Sequence, residues 1–405
     1  MKKITCMLLT LLLLFSTACA APAPEQKLRG VWFSYAEYGA FFKNLDKAAF
    51  TAQADTICKN VKDAGFNAIF YHVRAFSDAF YPSDLFGWSK YVSGTAGIGP
   101  DYDPLAIFID CAHRQGVQVH AWFNPYRIGS DANVTPDSRA MQWKKDNSGR
   151  VLEWNGSLYY NPANTDVQAY ILAGVSEVLA KYDVDGVQYD DYFYPTDDPA
   201  FDGAWYSGEP EARADWRREN VNILIENTYR IVKKENPALL FGVSPCADIS
   251  KNYNQLYADV ELWGKTPGYV DYLAPQIYYG YQNSTMPYTE VLAQWQTLCK
   301  QPDLMIGLAA YKVGKEDQWA GSGKAEWLEH TDILARQYAD AQKAGKYDGV
   351  ILFSYSSLFA PDENAANIAN AERQALSAAF GAVQKSSDPS LLQSFLWLLQ
   401  SLFPF

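Results

Sequence analysis

Histidine is scarce in this chain: four in 405 residues. That leaves little material for the His-rich sites that transition metals favour. Basic patches are missing as well. The net charge is −12, and the basic pairs Arg217-Arg218 and Lys233-Lys234 are each followed by a glutamate, which argues against binding nucleic acid or anionic lipid headgroups. No C-x-x-C occurs among Cys58, Cys111, Cys246 and Cys299, so zinc ribbons and redox centres are excluded, and these cysteines read as single buried thiols. No Gly-rich dinucleotide fingerprint follows the first strand-like run. No short-period repeat or low-complexity linker divides the chain, and no apolar run is long enough for a permanent transmembrane helix.

Aromatic residues, by contrast, are abundant: 15% of the chain, with 12 Trp and 28 Tyr. Such residues fill cores and also stack on the flat apolar faces of ligands. The first residues, MKKITCMLLTLLLLFSTACAAPAP, have the charged start, short apolar core and small residues of an export signal, placed at 1–20. Cleavage after Ala20 would release a soluble protein. Alternatively, STAC resembles a lipobox, in which case lipidated Cys19 would attach the protein to a membrane. Both outcomes place it outside the cytoplasm, secreted or anchored at the bacterial cell envelope.

Eight strand-like runs recur, at 29–35, 66–74, 117–127, 184–193, 240–246, 270–279, 304–311 and 347–355. Their near-continuous apolar character suits parallel strands covered on both faces. Helical segments lie between them. In one, Asp103 is placed as N-cap, Pro104 at the first turn and Gly116 past the end. Another spaces Phe50, Ala54, Ile57 and Val61 along one face. Further helices are expected at 166–181, 211–235, 288–300, 327–345 and 361–377. Eight alternations predict an α/β fold, a (β/α)₈ TIM barrel over 28–380. Long connections follow strands three (128–165) and four (194–239), and a short apolar tail occupies 381–405.

In such a barrel function sits at the C-terminal ends of the strands. Strand four reads VDGVQYDDYFYP. Strict alternation turns Val187 and Tyr189 toward the helices, and Gln188 and Asp190 toward the barrel axis. Asp191 is the first residue beyond the strand, while Asp185 lies at the stabilising end. Other strand ends are polar too: His72, Arg74 and Asp78 after strand two; His120, Trp122, Asn124 and Arg127 on strand three; Gln276 and Tyr278 on strand six; Tyr311 on strand seven. Amides, carboxylates, an Arg and aromatic plates converging on one rim suit sugar recognition. Two carboxylates are the usual equipment of glycoside hydrolysis. Asp190 is one candidate; its partner is Asp191, Asp78, Asp248 or Asp259. Trp122 and Trp263 are candidate stacking plates. The bland reading of each residue alone is a salt bridge, a cap or core packing, with Arg74 neutralising Asp190.

The segments LRGVWFSY, FNAIFYHVRAFSDAFYPSDLF, VHAWFNPYRI, VDGVQYDDYFYP, FGVSPCADI and VDYLAPQIYYG resemble the bacterial glycosyl-hydrolase-like family ten, from about Leu28 to Ser356. The resemblance implies an exported (β/α)₈ glycosidase of the cell envelope acting on peptidoglycan strands or a related glycan; from the scarcity of histidine, no metal or cofactor is expected. By motif it carries over Asp190 and Asp191 as the acidic pair. It also implies Arg74, Asp78, Trp122, Asn124, Arg127, Asn161 and Gln276 as cleft residues. His72 stands where relatives usually carry Gln, and Cys246 where a bulkier aromatic is common. A different class, a non-catalytic glycan-binding surface lipoprotein on the same barrel, fits the same residues.

Overall fold

The computed structural model describes residues 27–130, 134–343 and 345–381. The leader at 1–20 with Cys19, and all of the 381–405 tail beyond Gly381, lie outside the described residues. Eight parallel strands close a barrel: β1 (Leu28–Phe33), β2 (Ala68–Arg74), β3 (Gln118–Phe123), β7 (Gly186–Tyr189), β8 (Leu240–Val243), β9 (Tyr272–Leu273), β10 (Asp303–Leu308) and β11 (Gly349–Leu352). A second, three-stranded antiparallel sheet rises from the connection after β3. It is made of β4 (Arg127–Gly129), β5 (Val151–Trp154) and β6 (Ser157–Tyr160), in the order β4-β6-β5. The expected third strand is therefore two elements: the chain leaves the barrel at Phe123 and pairs again only from Arg127.

The helices begin and stop for local reasons. Asp46 accepts from the Ala49 amide at 2.8 Å and starts the helix Lys47–Asp63, which buries Phe50, Ala54, Ile57 and Val61. Asp103 accepts from Ala106 N at 3.0 Å and Pro104 follows as the first residue of Pro104–Arg114. These side chains satisfy amides that the first turn leaves without a helical partner. Helices Thr165–Lys181, Arg213–Glu235, Tyr288–Leu298 and Ala366–Ala379 follow the expected spans closely. The segment expected as one helix at 327–345 is broken into Glu326–Glu329 and Ile333–Lys343. Its second start is held by the buried Glu372, whose carboxylate accepts from Ile333 N at 2.6 Å and Leu334 N at 3.2 Å.

Two apolar layers hold the barrel. The outer layer, between strands and helices, takes Val31, Ile69, Tyr71, Val119, Ala121, Val187 and Tyr189. The interior takes Trp32, Phe70, Trp122, Tyr272 and Met305. Large interior rings need small neighbours, because eight strands leave room for only a few side chains per layer. A Cβ on Gly242 would lie 2.1 Å from the Tyr272 ring, and one on Gly186 2.5 Å from His120 Nδ1. Glycine at these two positions lets β8 and β7 pass the rings. Among the described residues no helix is long and apolar enough to cross a membrane.

Candidate active site

β7 ends at Tyr189, and the chain turns at once: the Phe193 amide bonds the Asp191 carbonyl at 3.0 Å. The observed pleat puts Val187 and Tyr189 in the outer layer, while Gln188 and Asp190 line a cavity at the C-terminal mouth of the barrel. This cavity has a volume of about 290 Å³. Its floor and walls are Trp32, Ser34, His72, Trp122, Asn124, Gln188 and Ser244, with Asp190 and Asp191 as the two carboxylates among its lining residues. Tyr35, Arg127, Tyr192, Gln276, Tyr278, Tyr311 and Phe353 form its rim.

Asp190 is 3% exposed. Its Oδ2 accepts from Trp122 Nε1 at 3.3 Å and its Oδ1 from the Tyr192 amide at 3.4 Å. Among the described residues it forms no salt bridge. Burial, followed by the neighbouring Asp191 charge, holds its pKa well above the ordinary carboxylate range; the Tyr192 amide, Arg127 and Trp122 oppose this only in part. Burial also raises Asp191, opposed by hydrogen bonding with Gln276 and by the Lys251 and Arg127 charges. Two adjacent carboxyls in a dry site titrate as a pair, and a proton stays on the pair far longer than on free aspartates.

The surrounding polar groups are held but not exhausted. Gln188 accepts from Trp32 Nε1 at 3.0 Å while its own Nε2 has no partner. Asn124 donates to Ala75 O at 3.0 Å, leaving Oδ1 free. Among the described residues the Ser244 hydroxyl also lacks a partner, and the ring nitrogens of His72 make at most a weak contact with the Arg74 backbone. Buried polar atoms are almost always hydrogen-bonded, so several unpaired ones around one cavity are what a hydroxyl-rich ligand would complete. His72 stacks on Trp122 at 3.8 Å between ring centroids, and burial with Arg127 nearby keeps it neutral at physiological pH. Arg127 itself lies between the rings of Phe76 (4.5 Å) and Tyr192 (4.7 Å).

The cavity thus gathers Asp190, Asp191, Trp122, Asn124, Arg127, Gln276, Tyr278 and Tyr311 from the expected set. Three expected cleft residues lie elsewhere. Arg74 follows a bulge in β2, where His72 pairs with Trp122 but Arg74 with Phe123, so two residues oppose one and the next side chain turns outward. Its guanidinium sits over Phe86 at 4.6 Å, donates to Pro125 O at 3.1 Å and does not pair with Asp190. Asp78 accepts from Phe76 N at 2.8 Å and Ala75 N at 3.2 Å, holding the turn after β2. Asn161 bonds Gly149 O and Ala163 N, fastening the base of the small sheet.

Other expectations change too. Trp263 is fully buried, donating to Asn222 Oδ1 at 2.8 Å, so it is core rather than a stacking plate. His120 lies inside the barrel against Phe70, 4.6 Å between ring centroids, below the mouth. Asp248 and Asp259 cap the starts of short helices, and neither lines the cavity. Asp185 holds the opposite end, accepting from Val119 N and His113 Nε2. Trp32, Tyr35, Tyr192 and Ser244 were missed. The alternation in WFSY would have placed Trp32 and Ser34 inward, and the end of β8 deserved the reading given to its neighbours. Among the described residues no cluster of His, Cys, Asp or Glu is arranged to hold a metal ion.

A closed parallel barrel carrying an unneutralised acid pair in an aromatic-walled cavity at its C-terminal mouth defines a glycoside hydrolase. Residues 27–321 match the model of the Glycosyl hydrolase-like 10 family. The chain belongs to that family. It is 31% identical over 394 residues to glycosyl hydrolase DigH of Escherichia coli (strain K12), covering 83% of this chain and 85% of DigH. To glycosyl hydrolase YngK of Bacillus subtilis (strain 168) it is 36% identical over 282 residues, 63% of this chain but only about half (54%) of YngK. Among solved structures, the glycoside hydrolase domain of PgaB (BpsB) from Bordetella bronchiseptica superposes with a TM-score of 0.57 at 14% identity, covering 88% of this chain and 99% of that one. That likeness is one of fold.

Proposed function

We propose that the protein hydrolyses a cell-envelope glycan outside the cytoplasm, the substrate being peptidoglycan strands or a related N-acetylhexosamine polymer. The observation that carries the reading is the buried acid pair Asp190–Asp191, without a salt bridge among the described residues and set among polar atoms that lack hydrogen-bond partners there. Asp190 is the deeper and more strongly raised of the two, so it holds the shared proton and acts as general acid. Its proton passes to the glycosidic oxygen as the bond from the anomeric carbon to that oxygen breaks. Asp191 stays ionised and faces the positive charge that develops on the sugar ring. Water then adds its hydroxyl to the anomeric carbon and returns a proton to the pair. His72, Asn124, Gln188 and Ser244 hold sugar hydroxyls or an N-acetyl group, and the export signal read at 1–20 supports the extracytoplasmic site.

The test is incubation with purified peptidoglycan, both intact and stripped of its peptides, with mass spectrometry of the soluble products. Saccharides with new reducing ends are expected. Retention on the insoluble glycan without any release would instead favour the non-catalytic surface lipoprotein. Neither release nor retention would refute both.

A further inference from the structure

The acid-pair cavity, at about 290 Å³, is at the small end of the ~300–1,000 Å³ range of ligand pockets. It has room for the reacting part of a glycan, not for a strand. The rest of a polymer must lie on loops at the same face of the barrel. Trp319 stands on such a loop, in the connection that follows β10, and is 90% exposed. A fully exposed tryptophan on a floppy loop would mean little. This loop is built to hold it.

Residues on both sides of Trp319 are buried and bonded. Asp317 is 4% exposed; its Oδ2 pairs with Lys312 Nζ at 2.6 Å and its Oδ1 accepts from the Trp319 amide at 3.2 Å. Lys312 also donates to Tyr278 O at 2.6 Å, and it follows Tyr311 directly in the chain. Tyr278 and Tyr311 are rim residues of the acid-pair cavity. On the other side Ala320, 1% exposed, accepts from Ser284 N at 3.1 Å in the connection after β9. A second ion pair, Lys324–Glu316 at 3.0 Å, closes the loop. The backbone that carries Trp319 is therefore held in place, tied through Asp317 and Lys312 to residues of the cavity lining. Trp205, the other exposed tryptophan of this face, has a structural use: it packs so closely on Gly149 that a Cβ there would lie 2.2 Å from its ring.

We propose that Trp319 is an outer subsite of the cleft, a stacking plate for a sugar ring farther along the strand than the one at Asp190. The inference rests on the glycan-hydrolase reading and deepens it, because it makes the substrate an extended polymer rather than a small glycoside. A pyranose has an apolar face of carbon-bound hydrogens that suits an indole ring, and a rigid ring loses little conformational entropy on binding. Loss of one such contact weakens binding roughly 2- to 12-fold.

The experiment compares wild type, Trp319→Ala and Trp319→Phe on peptide-free glycan strands sorted by length, from tetrasaccharides to decasaccharides and longer. Trp319→Ala should lower kcat/KM on long strands roughly 2- to 12-fold, mainly through KM, so that the advantage of long over short substrates shrinks. Trp319→Phe should keep most of that advantage. An equal loss on short and long strands, or equal behaviour of the Ala and Phe variants, would overturn the proposal. Retention on insoluble peptide-free glycan is measured in parallel. If wild type cleaves nothing, the hydrolase reading fails by itself; weakened retention of Trp319→Ala alone would still uphold the subsite, and unchanged retention would reject it.

Discussion

Asp190→Asn separates catalysis from stability and tests both at once. The amide is nearly isosteric and keeps one acceptor oxygen for Trp122 Nε1 or the Tyr192 amide, so the cavity should keep its shape. It cannot supply a proton. General acid catalysis contributes about 10²- to 10⁴-fold, and at 1.36 kcal/mol per decade the barrier should rise by about 2.7–5.4 kcal/mol. Stability should move the other way. Burial and the Asp191 charge raise the folded-state pKa of Asp190 above its unfolded value of about 3.9. Between those two values the native state binds more protons than the unfolded chain, so stability falls as pH rises, by at most about 1.4 kcal/mol per pH unit for one proton. Asparagine removes that slope, and it also relieves Asp191 of a like-charged neighbour. The melting temperature of Asp190→Asn relative to wild type should thus be near zero at pH 4 and increasingly positive toward pH 8. Reducing-end release and thermal unfolding across that range supply both readouts. Turnover within tenfold of wild type, or a melting difference that does not change with pH, would refute the reasoning.

Asp191→Asn removes the second cause of the raised Asp190 pKa but leaves burial, the first. The alkaline limb of the residual pH–rate profile should therefore shift to lower pH while staying above the ordinary carboxylate range; a shift upward would contradict the coupling. Arg217 and Asp202 form a fully buried pair, bonded at 2.8 and 2.6 Å, that ties the loop after β7 to the helix Arg213–Glu235. Asp202→Ala strands the guanidinium without a counter-charge and should cost about 3–5 kcal/mol in urea unfolding, with a loss below about 1 kcal/mol counting against the pair's structural role.

The barrel was legible because the strands are buried apolar runs and some helices carry their own punctuation. Asp103 and Pro104 announce their helix in the sequence itself, and the structure shows the capping bond that Asp103 makes. The inward set of β7 was legible for the same reason: a period of two leaves no choice once Val187 is placed outside. Two kinds of residue could not be read: those decided by a partner distant in sequence, and polar residues whose local backbone bonds compete with a catalytic reading. Trp263 looks like an aromatic near a loop until Asn222, on another helix, claims its indole N–H. Glu372 breaks a continuous helical pattern from 39 residues away. Asp248 and Asp259 are indistinguishable from catalytic acids by residue type, and only their bonds to Lys251 N and Leu262 N show them to be caps. Asn161 and Asp78 fall to the same cause: both are polar residues near strand ends whose bonding capacity is spent on backbone.

Arg74 is the most instructive miss, because the reason it leaves the cleft is also the reason the cleft can work. Unbroken alternation along β2 would send Ala68, Phe70, His72 and Arg74 all inward, and an arginine at that height would stand beside Asp190. An opposite charge within a few ångströms lowers a carboxyl pKa by 1–3 units in typical cases, so Asp190 would lose part of the upward shift that lets it hold a proton. The bulge at Val73 prevents this by pairing Arg74 with Phe123, an outward-facing residue of β3. The guanidinium is instead lodged over Phe86 and Tyr160, bonded to Pro125 O. Arg127, the cation that does reach the rim, is kept between two rings rather than against a carboxylate. One extra residue in a single strand therefore keeps a cation away from the acid at another strand's end. Deleting Val73 removes the bulge but keeps Arg74 opposite Phe123 and facing outward, so a deletion variant that folds should keep the wild-type alkaline limb of the pH–rate profile. A Val73 deletion that folds and shifts that limb toward acid would show that Arg74 had reached the axis by another route and that the register at His72 does not control it.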